Sequence, residues 1–188
     1  MRTKNINHGF TLLELMIVLV IVAIGVALAT PTFQDVTQRR QTTAQAQELA
    51  AFLSFAQGEA VKKNTPISVE LKFTSPSNWC IGAAETLTGC DCTGVGTACT
   101  IEGVTVTMGS ATQEHSSMLT PAVLADKVFA FDPIRGTMIA DDLANSHTFT
   151  LQSDNAKYAL RVDVAATGRI KVCNPLSSKA VHGYKSCS

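Results

Sequence analysis

Glu14 is the only charged residue between Phe10 and Thr30. A carboxylate inside an apolar stretch is costly unless something pairs with it, so it is a functional residue by default. It lies four positions after Phe10 and becomes the fifth residue of a mature chain cut after Gly9. That cut would give Phe10 a new ammonium group. The carboxylate of one subunit would then neutralise the ammonium of the next, in low-dielectric surroundings that favour the pair over either lone charge. This is assembly chemistry rather than catalysis. Two other readings compete for the segment: a plain membrane anchor, and an ordinary secretory signal cleaved at Ala27-Leu28-Ala29. A discarded signal has no use for Glu14.

Six cysteines, at 80, 90, 92, 99, 173 and 187, all follow the N-terminal helical region. Such clustering favours disulfides made in an oxidising compartment, the periplasm or cell surface. No metal is expected, because Cys90-Asp91-Cys92 is C-x-C rather than C-x2-C and has no histidine nearby in sequence. Cys173 and Cys187 are 14 apart, with Asn174-Pro175 opening a turn, and are expected to close the tail. Cys80, Cys90, Cys92 and Cys99 then pair among themselves, in a connectivity the spacing leaves open.

After Asp163 the chain has no acidic residue but carries Arg169, Lys171, Lys179 and Lys185, a local charge of +4, with His182 among them. Such a cluster can contact phosphates without reading sequence and in a salt-sensitive way. Strand alternation also puts Arg169 and Lys171 outward and Ile170 and Val172 inward, as on any solvated strand. A matched hairpin would set Asp163 opposite Arg169 and partly cancel it. The pattern favours the solvated face, since an isolated basic cluster is weak evidence. No catalytic residue and no cofactor is expected. Gly94-Val95-Gly96-Thr97-Ala98-Cys99 lacks the third glycine of a dinucleotide loop, Asp141-Asp142 reads as a turn, and His115 and His147 lack carboxylate or cysteine partners in sequence.

These residues need elements to hold them. Phe10 to Thr30 is 21 residues long and at about 1.5 Å per residue spans one hydrocarbon core. From Thr32 the chain becomes polar but keeps a helical period, with Ala46, Leu49, Phe52, Leu53, Ala56 and Ala60 on one stripe and Gln45, Gln47, Gln57 and Lys62 on the other face. Asn64-Thr65-Pro66 ends it. The reading is one helix over 11–63, roughly 80 Å long, bent near Pro31. Then come strands. Ile67 to Phe73 alternates as a half-buried strand, and Val104 to Met108, Val128 to Phe131 and His147 to Gln152 follow. Tyr158 to Val164 and Arg169 to Cys173 form a hairpin. Regions 75–100 and 109–125 read as loop-rich, the first stapled by cysteines. A helix followed by strands gives an α+β fold, with an antiparallel sheet or sandwich against the helix. With 188 residues, 15 basic and 15 acidic, bulk charge selects no partner, and the length suits one modest domain plus an anchor.

Gly9-Phe10-Thr11-Leu12-Leu13-Glu14 resembles the prepilin peptidase motif of type IV pilins and type II secretion pseudopilins. The resemblance implies a leader over 1–9, cleavage between Gly9 and Phe10, N-methylation of Phe10, an assembly role for Glu14 and a helix kink at Pro31. It further implies a transmembrane and assembly helix over 10–30, an amphipathic helix over 31–64 and a β-rich domain over 65–188. Within that class, Glu59-Ala60-Val61, Asn64 to Val69, Phe131 to Gly136 and Thr167 to Cys173 resemble the GspH/FimT minor pilins and pseudopilins. The implied function is a minor type IV pilin that initiates or tips the filament, the alternatives being a type II secretion pseudopilin of H type and a DNA-binding pilin for transformation. The implied partners are other pilin or pseudopilin subunits, prepilin peptidase, inner-membrane lipid and, in the third case, double-stranded DNA. The implied location is the bacterial inner membrane, single-pass, with the C-terminal domain in the periplasm and then on the surface pilus. Gly168-Arg169-Ile170-Lys171 resembles the Gly-Arg-x-Arg tail of DNA-binding members, with lysine replacing the second arginine and its bidentate fork.

Overall fold

A computed structural model describes residues 10–94, 96–109, 116–119, 127–139 and 146–187, with side chains undescribed at 27–32, 116–119 and 127. The leader with Gly9, His115, Asp141-Asp142 and the side chains of Ala27-Leu28-Ala29 and Pro31 lie outside this set. The chain divides into two compact units, Met1–Thr37 and Gln38–Ser188.

One helix, α1 (Leu12–Lys63), contributes to both units and is unbroken through residue 31. Its start has a chemical cause. The Glu14 amide donates to Thr11 Oγ1 at 3.2 Å, and Thr11-x-x-Glu14 has the spacing of a capping box. Its end is also encoded: Asn64 takes a left-handed φ of 51°, the Thr65 amide returns to the Ala60 carbonyl at 3.3 Å, and Pro66 follows.

The second unit carries two four-stranded antiparallel sheets and one two-stranded sheet among its described residues. In the first, β1 (Ile67–Ser75) pairs with β2 (Asn78–Ala84) and β7 (Lys127–Phe131), and β2 pairs with β5 (Thr107–Gly109). In the second, β9 (Ala159–Val164) lies between β10 (Ile170–Cys173) and β8 (His147–Ser153), with β6 (Ser116–Leu119) outside β8. A small hairpin joins β3 (Thr100–Ile101) to β4 (Val104–Thr105). One core spans helix and sheets. Ala46, Leu49, Leu53, Ala56 and Ala60 of α1 are fully buried with Ile67, Val69 and Leu71 of β1 and Phe149, Leu151, Leu160 and Val162 of the second sheet. Phe129 of β7 faces Phe149 of β8 at a centroid distance of 6.3 Å, tying the sheets together.

Four expectations change. Region 75–100 holds a full strand, β2; its Cys80, Gly82, Ala83 and Ala84 give no strand-forming signature, yet it pairs with β1 over Ser68↔Ala84 to Ser75↔Asn78. Region 109–125 likewise holds β6. β1 is not half-buried but buried on both faces from Ile67 to Leu71. The segment after β2 passes over its outer face, bringing Gly89 against Glu70, and Ser68 Oγ bonds the Ala84 carbonyl at 3.4 Å. Gln45 is buried rather than on the polar face, together with Thr42, whose hydroxyl caps the Gln38 carbonyl at 3.0 Å.

Candidate functional site

The first candidate is the start of α1. From Phe10 to Val26 every side chain is exposed, Phe10 at 82% and Leu12 at 78%. Apolar surface of this extent does not remain in water, so it marks a surface for protein or lipid. Glu14 sits in the first helical turn, where the helix dipole favours a carboxylate. Among the described residues no helix is long and apolar enough to cross a membrane.

The second candidate is the stapled segment over the first sheet. Cys80 bonds Cys92, and Cys90 bonds Cys99. The second bridge lies directly on β2: a Cβ built on Gly82 would stand 2.2 Å from Cys99 Sγ and 3.1 Å from Cys90 Sγ. Gly82 is therefore glycine so that the disulfide can rest on the sheet, a role no turn signal marks. Lys63 at the end of α1 bridges to Glu85 and, at 3.0 Å, to Glu102, joining the helix end to the loop after β2 and to the β3–β4 hairpin. The hydrogen bond to Glu85 raises the Lys63 ammonium, and the same bond, with the Glu102 amide, lowers the Glu85 carboxyl. Asp91 is lowered by the Thr93 hydroxyl and amide.

The third candidate is the basic edge. β10 is the outermost strand of its sheet, and Cys173 at its end bonds Cys187. The tail between them is pinned by buried Asn174: its amide nitrogen donates to the Val181 and Tyr184 carbonyls at 3.0 and 2.6 Å, and its oxygen accepts from the Val181 amide at 2.8 Å. Gln47 of α1 donates to the Tyr184 hydroxyl at 2.8 Å, so the tail also reaches the helix. The four cations do not gather. Lys179 pairs with Tyr158 at the beginning of β9 and lies 5.7 Å from its ring centroid, whereas Arg169 follows the end of β9. At about 3.3 Å per residue these points are roughly 20 Å apart. Lys185 stands between, its carbonyl accepting from the Asn174 amide. Arg169 and Lys171 do share one place, a shallow cavity also lined by Arg161, Asp163, Ser146 and Thr148.

Asp163 faces Lys171 and Thr148 across the strands, not Arg169. The turn is the reason: the Ala165 amide bonds the Arg169 carbonyl, and Gly168, at φ 80°, closes a three-residue loop that advances the register by two. Its carboxylate is paired with Arg161, whose far nitrogen donates to Oδ2 at 3.0 Å while Nε stands 2.7 Å from Oδ1. Ile170 and Val172 are half-buried, as is Lys171, so the strand alternates less sharply than its sequence.

The sequence also placed Gln57 on the polar face, where it would have no task. Its amide nitrogen donates to the Gly136 carbonyl at 2.6 Å and the Gly168 carbonyl at 2.9 Å. One helix side chain thus clamps the turn after β7 to the β9–β10 turn. Asp132 stiffens the first of these, its carboxylate accepting from the Ile134 and Arg135 amides at 2.9 and 2.7 Å.

A helix uncovered and apolar at its start, built at its end into disulfide-stapled antiparallel sheets, defines a pilin-type subunit. The chain belongs to the family described as Type II transport protein GspH, whose family model matches residues 45–168, and residues 4–30 match the prokaryotic N-terminal methylation motif. It is similar to the type IV major alpha-pilin of Moraxella bovis, 39% identical over 84 residues, 45% of this chain and 53% of that pilin. It is also similar to a fimbrial protein of Pseudomonas aeruginosa, 40% identical over 62 residues, 33% of this chain and 40% of that protein. The chain thus spans about half the length, or less, of these curated relatives. Among solved structures it is similar to the type IV minor pilin FimU of P. aeruginosa strain PAO1, with TM-score 0.49, 20% identity and coverage of 78% and 96% of the two chains. It is also similar to the minor pseudopilin EpsH of the Vibrio cholerae type 2 secretion system, with TM-score 0.47, 11% identity and coverage of 72% and 98%.

Proposed function

We propose that the chain is a minor type IV pilin, cut by prepilin peptidase after Gly9, methylated at Phe10 and held in the inner membrane until it enters a pilus as an initiating or tip subunit. The observation that carries this reading is the exposed apolar start of α1 with Glu14 as its one charge. The helix passes from lipid into a filament core, bending at Pro31, and the domain moves from the periplasm to the surface pilus with it. The pilus, rather than a type II secretion pseudopilus, is supported by three disulfides in the domain and by the pilins among the relatives. Mass spectrometry of membrane-extracted protein is expected to give N-methylphenylalanine at residue 10. A chain beginning at Thr30 would establish the secretory reading instead. A deletion strain is expected to lose surface pili and keep secretion of exoproteins; the reverse result would assign the chain to secretion.

A second reading, contact with double-stranded DNA, rests on Arg161, Arg169 and Lys171 lining one cavity. Less Asp163, these leave a charge of +2, and Lys185 and Lys179 extend the edge. Binding is expected to be sequence-independent and to weaken steeply with salt. Replacing Arg169 and Lys171 together should flatten the salt slope by roughly two units, and Asp163→Asn should tighten binding. A salt titration of the detergent-solubilised full-length protein with linear duplex reads both; an unchanged slope in the double variant removes this reading.

A further inference from the structure

Gly58 lies on the outward side of α1, inside the helix and before its last turn. A glycine there weakens the helix relative to alanine. Most glycines in this domain repay their flexibility with a left-handed φ or a close approach, but Gly58 has neither: among the described residues nothing lies within 4 Å of a Cβ built on it. The cost therefore has no cause inside the subunit. Around it stand Phe55 and Val61, each nearly half exposed, and next to Val61 the turn after β7, whose Ile134 is 78% exposed. A turn braced by Asp132 and clamped by Gln57 holds Ile134 out as a fixed apolar knob rather than a loose loop tip.

Cations outnumber acids around this patch. Arg135 and Arg169 are exposed, Lys62 is paired with Glu59 at 3.1 Å, and the Asp132 carboxylate accepts from the turn amides. We propose that the face formed by Phe55, Gly58, Val61 and Ile134 seats a neighbouring pilin-class subunit, whose apposed surface is apolar at its centre and carries carboxylates opposite Arg135. Gly58 lets that neighbour approach the helix backbone, and Ile134 enters its apolar surface. The proposal rests on membership in a pilin-type assembly but not on the choice of pilus over secretion, since either assembly supplies such a neighbour.

The test places p-benzoylphenylalanine at position 134 or, for comparison, at position 176, where Leu176 is 90% exposed in the tail. Full-length protein is irradiated in intact cells and the adducts are identified by mass spectrometry. The expected result is an adduct from position 134 to a different pilin-class subunit, at least tenfold stronger than any from 176. It should fall at least tenfold when Gly58→Leu or Arg135→Glu is added. Gly58→Leu should keep or raise the melting temperature of the full-length protein in detergent, which separates a blocked interface from a damaged fold. Overturning results are an adduct no stronger than that from 176, one formed only with lipid or an unrelated protein, or one unchanged by Gly58→Leu. If the adduct forms but the deletion strain keeps its pili, the interface stands and the pilus reading fails.

Discussion

Cells producing Glu14→Ala in place of the native chain are expected to process the protein normally and fail to build it into filaments, with incorporation down more than tenfold. The proposed cut between Gly9 and Phe10 leaves residue 14 outside the scissile bond, so the mature N-terminus should still be N-methylphenylalanine. What is lost is the partner for that ammonium. An ammonium left unpaired in an apolar filament core costs several kcal/mol, and each ~1.4 kcal/mol is a factor of ten in assembly. Glu14 also belongs to the first turn of α1, with its amide on the Thr11 hydroxyl, so a capping role competes with the pairing role. Glu14→Gln separates them. Glutamine serves a capping box as glutamate does but carries no charge. If pairing is the function, Gln fails as Ala does; if capping is, Gln restores incorporation. Immunoblots of sheared surface fractions against membranes, with N-terminal mass spectrometry, read both.

The parts of this molecule legible in the sequence are those whose signals are local. The helix end at Asn64 and Pro66, the buried stripe from Ala46 to Ala60, and strands such as His147–Ser153, which alternates buried and half-buried positions throughout, follow from periodicity and capping chemistry. What the sequence does not show depends on a second segment. β2 is strand because β1 and β5 flank it, not because Cys80 to Ala84 favour strand. The outer face of β1 is covered by a loop that two disulfides staple over it. Asp163 faces Lys171 rather than Arg169 because a three-residue loop shifts the register by two, and no periodicity reports loop length. Gln57 carries no signal at all: a glutamine on a helix flank reads as solvated until two carbonyls from elements 79 and 111 residues away arrive above it. At the candidate sites, Glu14 and the cysteines stood out because their residue types are unusual in their setting. Arg161 and Asn174 did not, since arginine on a strand and asparagine before proline are ordinary.

Two glycine substitutions, alike in backbone conformation and unlike in surroundings, test the clamp that Gln57 makes. Gly168 and Gly183 both have left-handed φ, 80° and 95°. At Gly183 a built Cβ meets nothing within 4 Å among the described residues, so Gly183→Ala should cost only the left-handed conformation, about 1–2 kcal/mol. At Gly168 the Cβ would lie 2.1 Å from the Gly136 carbonyl oxygen and 2.5 Å from Gln57 Nε2. Neither is the yielding end of a long free side chain: one is backbone, and the other is fixed by its two hydrogen bonds. Gly168→Ala must therefore push the β9–β10 turn away from α1, adding to the conformational cost the loss of buried hydrogen bonds, about 1–3 kcal/mol for each group left unsatisfied. The expected total is about 4 kcal/mol, and at roughly 2–4 °C per kcal/mol for a domain of this size the melting temperature should fall by about 8–16 °C, against about 2–8 °C for Gly183→Ala. Removing the amide in Gln57→Ala should make room at Gly168, so Gly168→Ala should cost less in that background than in the native chain. Thermal melts of the four full-length proteins complete the cycle. Strict additivity of the two changes would show that the turns are held apart from Gln57 and that the clamp contributes nothing to the position of Arg169.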